Sequence, residues 1–254
     1  MTNPNLGKTL TFKTPSGFDV TIREQDGADD ETISKLKNAM DGTAVNKLVS
    51  SIITDYKGGR VTPETILKFK NRDKYYILFK SRVFSIGDSI TYKHKCPNLE
   101  CQKDTIYEED LNQYDRDFSK PEEETKTDFP YQVQPYINAD KLEEEIGLSS
   151  GKKVKYKYLN GESEKKLLAA NKDEINKNTE LLVRDIQWWH EDKFQPLMNF
   201  KVMSTKDMAE IRKHIKLHDS PFEAISEVRC PVCQTTDKIS LMAQTDFFFP
   251  QEIL

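Results

Sequence analysis

The stretch Ser89-Ile-Thr-Tyr-Lys-His-Lys-Cys-Pro-Asn-Leu-Glu-Cys101 is answered near the other end of the chain by Ala224-Ile-Ser-Glu-Val-Arg-Cys-Pro-Val-Cys233. In each, an alternating apolar and polar run reads as a strand that delivers a Cys-Pro step, with a second cysteine after a short turn. Cys230 and Cys233 are separated by two residues and Cys96 and Cys101 by four. Both spacings fall in the range of zinc knuckles. Zinc takes four ligands at the corners of a tetrahedron, and two short pairs supply them whatever length of chain lies between, here about 130 residues. Cys96, Cys101, Cys230 and Cys233 are therefore read as one structural zinc site. Two alternatives stay open at this point: four unrelated reduced cysteines, and His94, two residues before Cys96, standing in for one sulfur.

Outward from these knuckles the chain punctuates itself. Residues 8–24 alternate on either side of Thr14-Pro-Ser-Gly17 and read as a β-hairpin. Helical spacing predicts a helix over Asp30–Met40 and another over Ala44–Tyr56. Thr62-Pro63 offers an N-cap and a first-turn proline for a helix carrying Ile66, Leu67 and Phe69, and Asp73 to about Phe84 reads as a further helix. Lys152–Leu159 alternates strictly and ends at Asn160-Gly161, a strand-then-turn signal. Helices are expected over Glu162–Ala170, over Ile175 to about Trp189, and over Thr205–Leu217, the last with Ser204 and Asp207 as a capping box.

Asp73 precedes Cys96 by 23 residues and Asp207 precedes Cys230 by 23, each time through a helix, a breaker (Gly87 or Pro221), a short strand and Cys-Pro. The expected fold is thus α+β, with two quasi-repeated α/β half-modules joined by a split four-cysteine, zinc-ribbon-like site. Residues 1–115 would form the N-terminal half-module with the first knuckle, and 151–254 the C-terminal one with the second. Residues 116–150, with Pro-Glu-Glu-Glu-Thr-Lys-Thr-Asp at 121–128 and an alternating aromatic run at 129–137, read as a linker or as an arm that orders on a partner.

Composition narrows function. With 254 residues the chain can bury a core without disulfides, so paired cysteines are not needed for stability. There is no signal-peptide-like apolar run at the start and no apolar stretch of membrane-spanning length, which predicts a soluble cytosolic protein. A balance of 38 Lys+Arg to 42 Asp+Glu, net −4, gives no overall pull towards phosphate backbones.

No phosphate-cradling glycine loop, Gly-x-Ser-x-Gly elbow or His-Glu-x-x-His occurs. A site saturated with four thiolates leaves no open position for water or substrate, which argues for structure and against zinc catalysis. His190 beside Trp188-Trp189 and Glu191-Asp192 imitates an acid–base cluster but reads better as a helix end with aromatic anchors. Phe247-Phe-Phe-Pro250 reads as core completing the second lobe or as an exposed plug for a neighbouring subunit.

The ordered set of motifs resembles the tail baseplate hub and hub-assembly proteins of contractile-tailed, T-even-like bacteriophages. The similar residues are Leu10-Thr-Phe-Lys-Thr-Pro-Ser-Gly-Phe-Asp-Val-Thr-Ile22, Asn71-Arg-Asp-Lys-Tyr-Tyr-Ile-Leu-Phe-Lys-Ser-Arg82 with Ser85-Ile-Gly-Asp88, and the Cys96 knuckle. Lys155-Tyr-Lys-Tyr-Leu-Asn-Gly-Glu162, the Cys230 knuckle and Phe247-Phe-Phe-Pro250 complete the set. The wide first knuckle and the acidic insertion at 121–128 depart from the pattern. The resemblance implies a non-enzymatic component or assembly factor of a phage tail baseplate, made in the host cytoplasm. Its partners would be other baseplate or tail proteins, with no membrane and no small-molecule substrate. The competing readings are a zinc-ribbon nucleic-acid or transcription accessory protein, suggested by the knuckles and the lysines of 152–157, and an enzyme using zinc or the His190 region.

Overall fold

The computed structural model describes residues 7–36, 43–119, 141–169 and 178–248. Its class is α+β. The expected hairpin is β1 (Thr9–Lys13) paired antiparallel with β2 (Asp19–Arg23). The turn closes through Gly17 N–H donating to Thr14 C=O at 2.8 Å, with Gly17 at φ 82°, a conformation that favours glycine. Helix α1 (Gly27–Leu36) and helix α2 (Thr43–Ile52) follow, and the chain then returns as β3 (Ile53–Tyr56) on the free side of β2. The helix expected over Ala44–Tyr56 therefore ends at Ile52. Ile53-Thr54 is β-branched and finds an open strand edge, so ladder pairing overrides the helical spacing. Met40, at the end of the first expected helix, lies outside the described residues.

Thr62 caps the short helix α3 (Pro63–Ile66), its side chain accepting from Thr65 N–H, as Thr62-Pro63 foretold. Helix α4 (Asn71–Ile86) then runs through the middle of the molecule and is buried on nearly all sides. Its buried charges are each matched by a remote segment. Asp73 accepts from the backbone and hydroxyl of Ser16 in the first hairpin turn, Arg72 donates to Ser220 C=O, and Lys74 pairs with Glu164. Arg82 donates to the carbonyls of Phe247, Gly87 and Ser89. A buried ion must be paired and hydrogen-bonded to be tolerated, so these contacts dictate where the rest of the chain goes.

Strands β4 (Ser89–Lys95) and β5 (Asp104–Asp110) form an antiparallel hairpin, followed by a 3-10 turn at Leu111–Tyr114. Strand β6 (Glu143–Gly147) falls inside the stretch expected to be linker or arm. Three consecutive glutamates hide its alternation, yet Ile146 points inward opposite Val154. Residues 121–137, the acidic run and aromatic arm, lie outside the described residues. Strand β7 (Lys153–Lys157) pairs with β6, and helices α5 (Gly161–Ala169) and α6 (Thr179–Val183) come next.

The helix expected from Ile175 to Trp189 is described only as the five residues of α6. Asp185 at φ 50° breaks it, and Trp188-Trp189 lie in β8 (Gln187–His190), which pairs with β7 and with β9 (Lys193–Pro196). Bulky aromatics gain more on a pleated surface with partners on both sides than in an isolated turn of helix. Helix α7 (Thr205–His218) carries the anticipated capping box, Ser204 with Asp207, and β10 (Ile225–Arg229) and β11 (Thr236–Ser240) close the described chain with 3-10 turns.

Three buried clusters result. Val20, Ile22, Leu48 and Ile52 pack beneath the first sheet, and Val154, Tyr156, Ile186 and Ile211 beneath the second. The third draws Tyr76 and Phe79 from α4, Ile90 and Tyr92 from β4, and Phe222, Val228, Ile239 and Phe247 from the C-terminal part. The first and last parts of the chain thus share one core.

Two substitutions test this account. A Cβ added at Gly161 would lie 2.9 Å from Leu67 Cα, where the α5 turn crosses the end of α3, so Gly161→Ala is expected to destabilise by about 1–3 kcal/mol in a denaturant titration. Hydrogen bonds from Ser150, Lys152 and Ser204 hold the Asp207 carboxyl below the usual carboxylate range. That stabilisation is present above an unfolded-chain value of about 3.9 and is lost as pH falls through the folded one. Asp207→Asn should cost about 1–2 kcal/mol at neutral pH, and its difference from wild type should shrink steadily in melts below about pH 4.

Candidate metal centre

Hairpin register brings the cysteines to strand ends. Lys95 pairs with Asp104 and Arg229 with Thr236, so each knuckle is the loop at the tip of its own hairpin. Cys96 N–H donates to Lys103 C=O and Cys230 N–H to Thr235 C=O, both at 2.9 Å, closing the two loops at the same place. The residue after each second cysteine is a glutamine in the left-handed region, Gln102 at φ 43° and Gln234 at φ 62°. Two turns of different length therefore finish in the same backbone conformation. The extra residues of the first are absorbed at Asn98, whose C=O accepts from the N–H groups of Cys101 and Gln102.

Packing of the two hairpins through the third core sets the tips against each other. Tyr107 on β5 donates to Arg229 C=O at 3.2 Å, and Ser226 on β10 hydrogen-bonds to Glu109. Cys96 Sγ lies 3.5 Å from Cys233 Sγ, Cys101 Sγ lies 3.8 Å from Cys230 Sγ, and all four sulfurs fall within 4.8 Å of one another. With Zn–S bonds of about 2.3 Å, the edge of a tetrahedron is about 3.8 Å. All four are free thiols; Cys96 and Cys230 are buried, and Cys101 and Cys233 half-buried. The donor set and its dimensions fit a tetrahedral metal, and the cluster could hold a metal ion.

The surroundings prepare thiolates unequally. The hydroxyl and backbone of Thr235 hold Cys233 down to about 6, and the N–H groups of Cys233 and Val232 lower Cys230. Burial pushes Cys96 up to about 12. A divalent metal held there would supply the positive charge that four converging thiolates need.

His94 does not join them. Its Nε2 lies 3.1 Å from Asp237 on β11, and among the described residues the cluster is made of the four cysteines. His190 sits on β8, not at a helix end, stacked on Trp188 with ring centroids 4.5 Å apart, and half exposed. Phe247 is fully buried against Phe79 and Arg82, which is the core reading of the C-terminal aromatic run. Phe249 and Pro250 lie outside the described residues. Sequence reasoning missed the buried charges of α4 and the Ser16–Asp73 contact. A signal existed: Ser16-Gly17 and Ser150-Gly151 stand at the same offset as the two Asp-to-Cys runs, each serine bonding the aspartate of its own helix.

Purified protein is expected to carry one metal equivalent per chain by elemental analysis. Cys96→Ser, Cys101→Ser, Cys230→Ser and Cys233→Ser should each lose most of it and lower Tm, because structural zinc binding contributes on the order of 10 kcal/mol to apparent folding free energy. Full metal content and an unchanged melt in any one variant would remove that sulfur from the site.

A family model described as T4 bacteriophage base plate protein matches residues 8–249 of this chain. Neither the curated proteins nor the solved structures contain a match. The matched span includes both hairpin tips, the central helix α4 and the buried Phe247, and therefore nearly every element that positions the cysteines. The chain belongs to the family of the T4 bacteriophage base plate protein.

Proposed function

We propose that the protein is a non-enzymatic component or assembly factor of the baseplate hub of a contractile-tailed phage, working through contacts with other baseplate or tail proteins. The observation that carries the reading is the family match over residues 8–249. In this role a structural zinc on Cys96, Cys101, Cys230 and Cys233 fixes the two hairpin tips as one rigid end. Leu99 and Val232, at those tips, are 84% and 64% exposed, which places an apolar side chain from each knuckle where a neighbouring subunit can meet it.

The proposed organisation is two half-modules: 1–115, and a second, expected over 151–254, whose first hairpin starts earlier, at β6 (Glu143–Gly147), so that the linker or partner-binding arm expected over 116–150 shortens at its C-terminal end. Several features support it. A hairpin, two helices and a returning strand (β1 to β3, then β6 to β8) precede a helix (α4, α7) and a hairpin tipped by cysteines in both halves. The glycines of the two first hairpin turns, Gly17 and Gly151, have φ of 82° and 84°. The sulfur pairs are crossed, first cysteine of one knuckle against second of the other, as a local twofold arrangement would require. Zinc then sits between equivalent ends.

Mass spectrometry of purified phage particles tests the role. A retained component should be found there in stoichiometric amount. A chain absent from particles but required for baseplates to form would be an assembly factor, and particles that form normally without the gene would sink both. Chelation of the metal should abolish incorporation while leaving regions distant from the knuckles folded by circular dichroism.

A further inference from the structure

Helix α7 carries two histidines one turn apart, His214 and His218, and neither belongs to the cysteine cluster. Residues at this spacing are neighbours on one face of a helix. Their imidazoles stack, with ring centroids 4.2 Å apart and planes tilted by 32°. Both residues are half-buried, so the pair is open to a small ion and still held by its surroundings.

The inner ring is oriented by the second core. Tyr156, buried on β7, places its hydroxyl 3.1 Å from His214 Nδ1. That contact engages one ring nitrogen and leaves Nε2 for a ligand, which is how an outer partner directs a metal-binding histidine. Burial, with the neighbouring His218, holds His214 below the ordinary histidine value, so its imidazole is a neutral lone-pair donor at neutral pH.

Charge does not select the occupant. The other charged side chains that act on His214 are Glu144 on β6 and Lys141, and these two pair with each other at 3.0 Å. What remains is a pair of nitrogen donors in the last two turns of a helix, whose C-terminal end favours a cation.

Ring spacing narrows the geometry. With a metal–nitrogen bond of about 2.0–2.1 Å, each ring centroid lies about 3.2 Å from the ion, so two cis imidazoles at 90° stand about 4.5 Å apart and two at a tetrahedral angle about 5.2 Å. The observed 4.2 Å matches the cis arrangement. Right angles between nitrogen donors belong to tetragonal and octahedral ions, and imidazole suits nickel and copper among them.

We propose that His214 and His218 chelate one divalent transition-metal ion in cis geometry, with water in its other positions, as a second metal site separate from the four cysteines. The ion would brace the last two turns of α7. The proposal goes beyond the baseplate role and depends neither on it nor on zinc at the hairpin tips.

The test is calorimetric titration of the full, zinc-loaded and dialysed chain with Ni2+, an ion that thiolates do not reduce. One equivalent is expected to bind with Kd on the order of 10 µM, at least tenfold more weakly to His214→Gln and to His218→Gln. Ni2+ should raise the Tm of wild type and of neither variant. Lowering pH from about 7.5 to about 5.5 should weaken binding at least tenfold, because protonated imidazoles cannot ligate. His218→Gln leaves the Tyr156–His214 contact in place and should melt like wild type without Ni2+, which separates a lost ligand from a lost fold. Absence of saturable binding by wild type overturns the proposal, as does wild-type affinity in either histidine variant. Ni2+ binding that survives both histidine substitutions and is lost in Cys96→Ser would belong to the hairpin tips and overturn it too. Particle mass spectrometry, which tests the baseplate role, is independent of every one of these outcomes.

Discussion

Helix α4 is the constraint on which the other elements depend. It is buried almost all round, and four of its residues, Arg72, Asp73, Lys74 and Arg82, bring charge into a place where unpaired charge is prohibitive. Each is compensated by a different stretch of chain: the first hairpin turn, the segment after α7, helix α5 and the C-terminal aromatic run. Removing one partner would leave a buried charge behind, at a cost of about 3–5 kcal/mol. The helix thus specifies the positions of remote segments as well as adding to the core.

The cysteine cluster follows from that arrangement. Once Arg82 ties the start of β4 to the C-terminal residues around Phe247, the hairpins β4–β5 and β10–β11 must pack against each other over Tyr92, Val228 and Ile239. Their tips then fall together. Closing a loop of this length by chance is entropically unfavourable, so a shared core that has already closed it would make capture of a metal far cheaper. A second anchor of the same kind lies between the C-terminal elements, where Arg184 and Asp219 form a buried ion pair and Asp219 also accepts from Leu159 N–H.

A protein with this construction presents rigid surfaces. The apolar residues at the hairpin tips, Leu99 and Val232, stand at the ends of hairpins backed by the third buried cluster. The acidic balance of the chain gives no general attraction to polyanions.

Read as sequence, the chain determined the four cysteines as a set, the first hairpin, the capped helices at Thr62 and Ser204 and the breaks that follow them, because capping, turn chemistry and knuckle spacing are local rules. It also carried the family's ordered motifs. Tertiary structure decided what local rules could not: that Ile53–Tyr56 and Trp188-Trp189 become strands when a sheet edge is open beside them, and that Glu143–Gly147 is a strand behind its run of carboxylates. It decided too that α4 buries its charges. Helical periodicity reports which side chains are apolar, and the partners that make a buried arginine or aspartate tolerable lie up to 165 residues away, where no local pattern can reach.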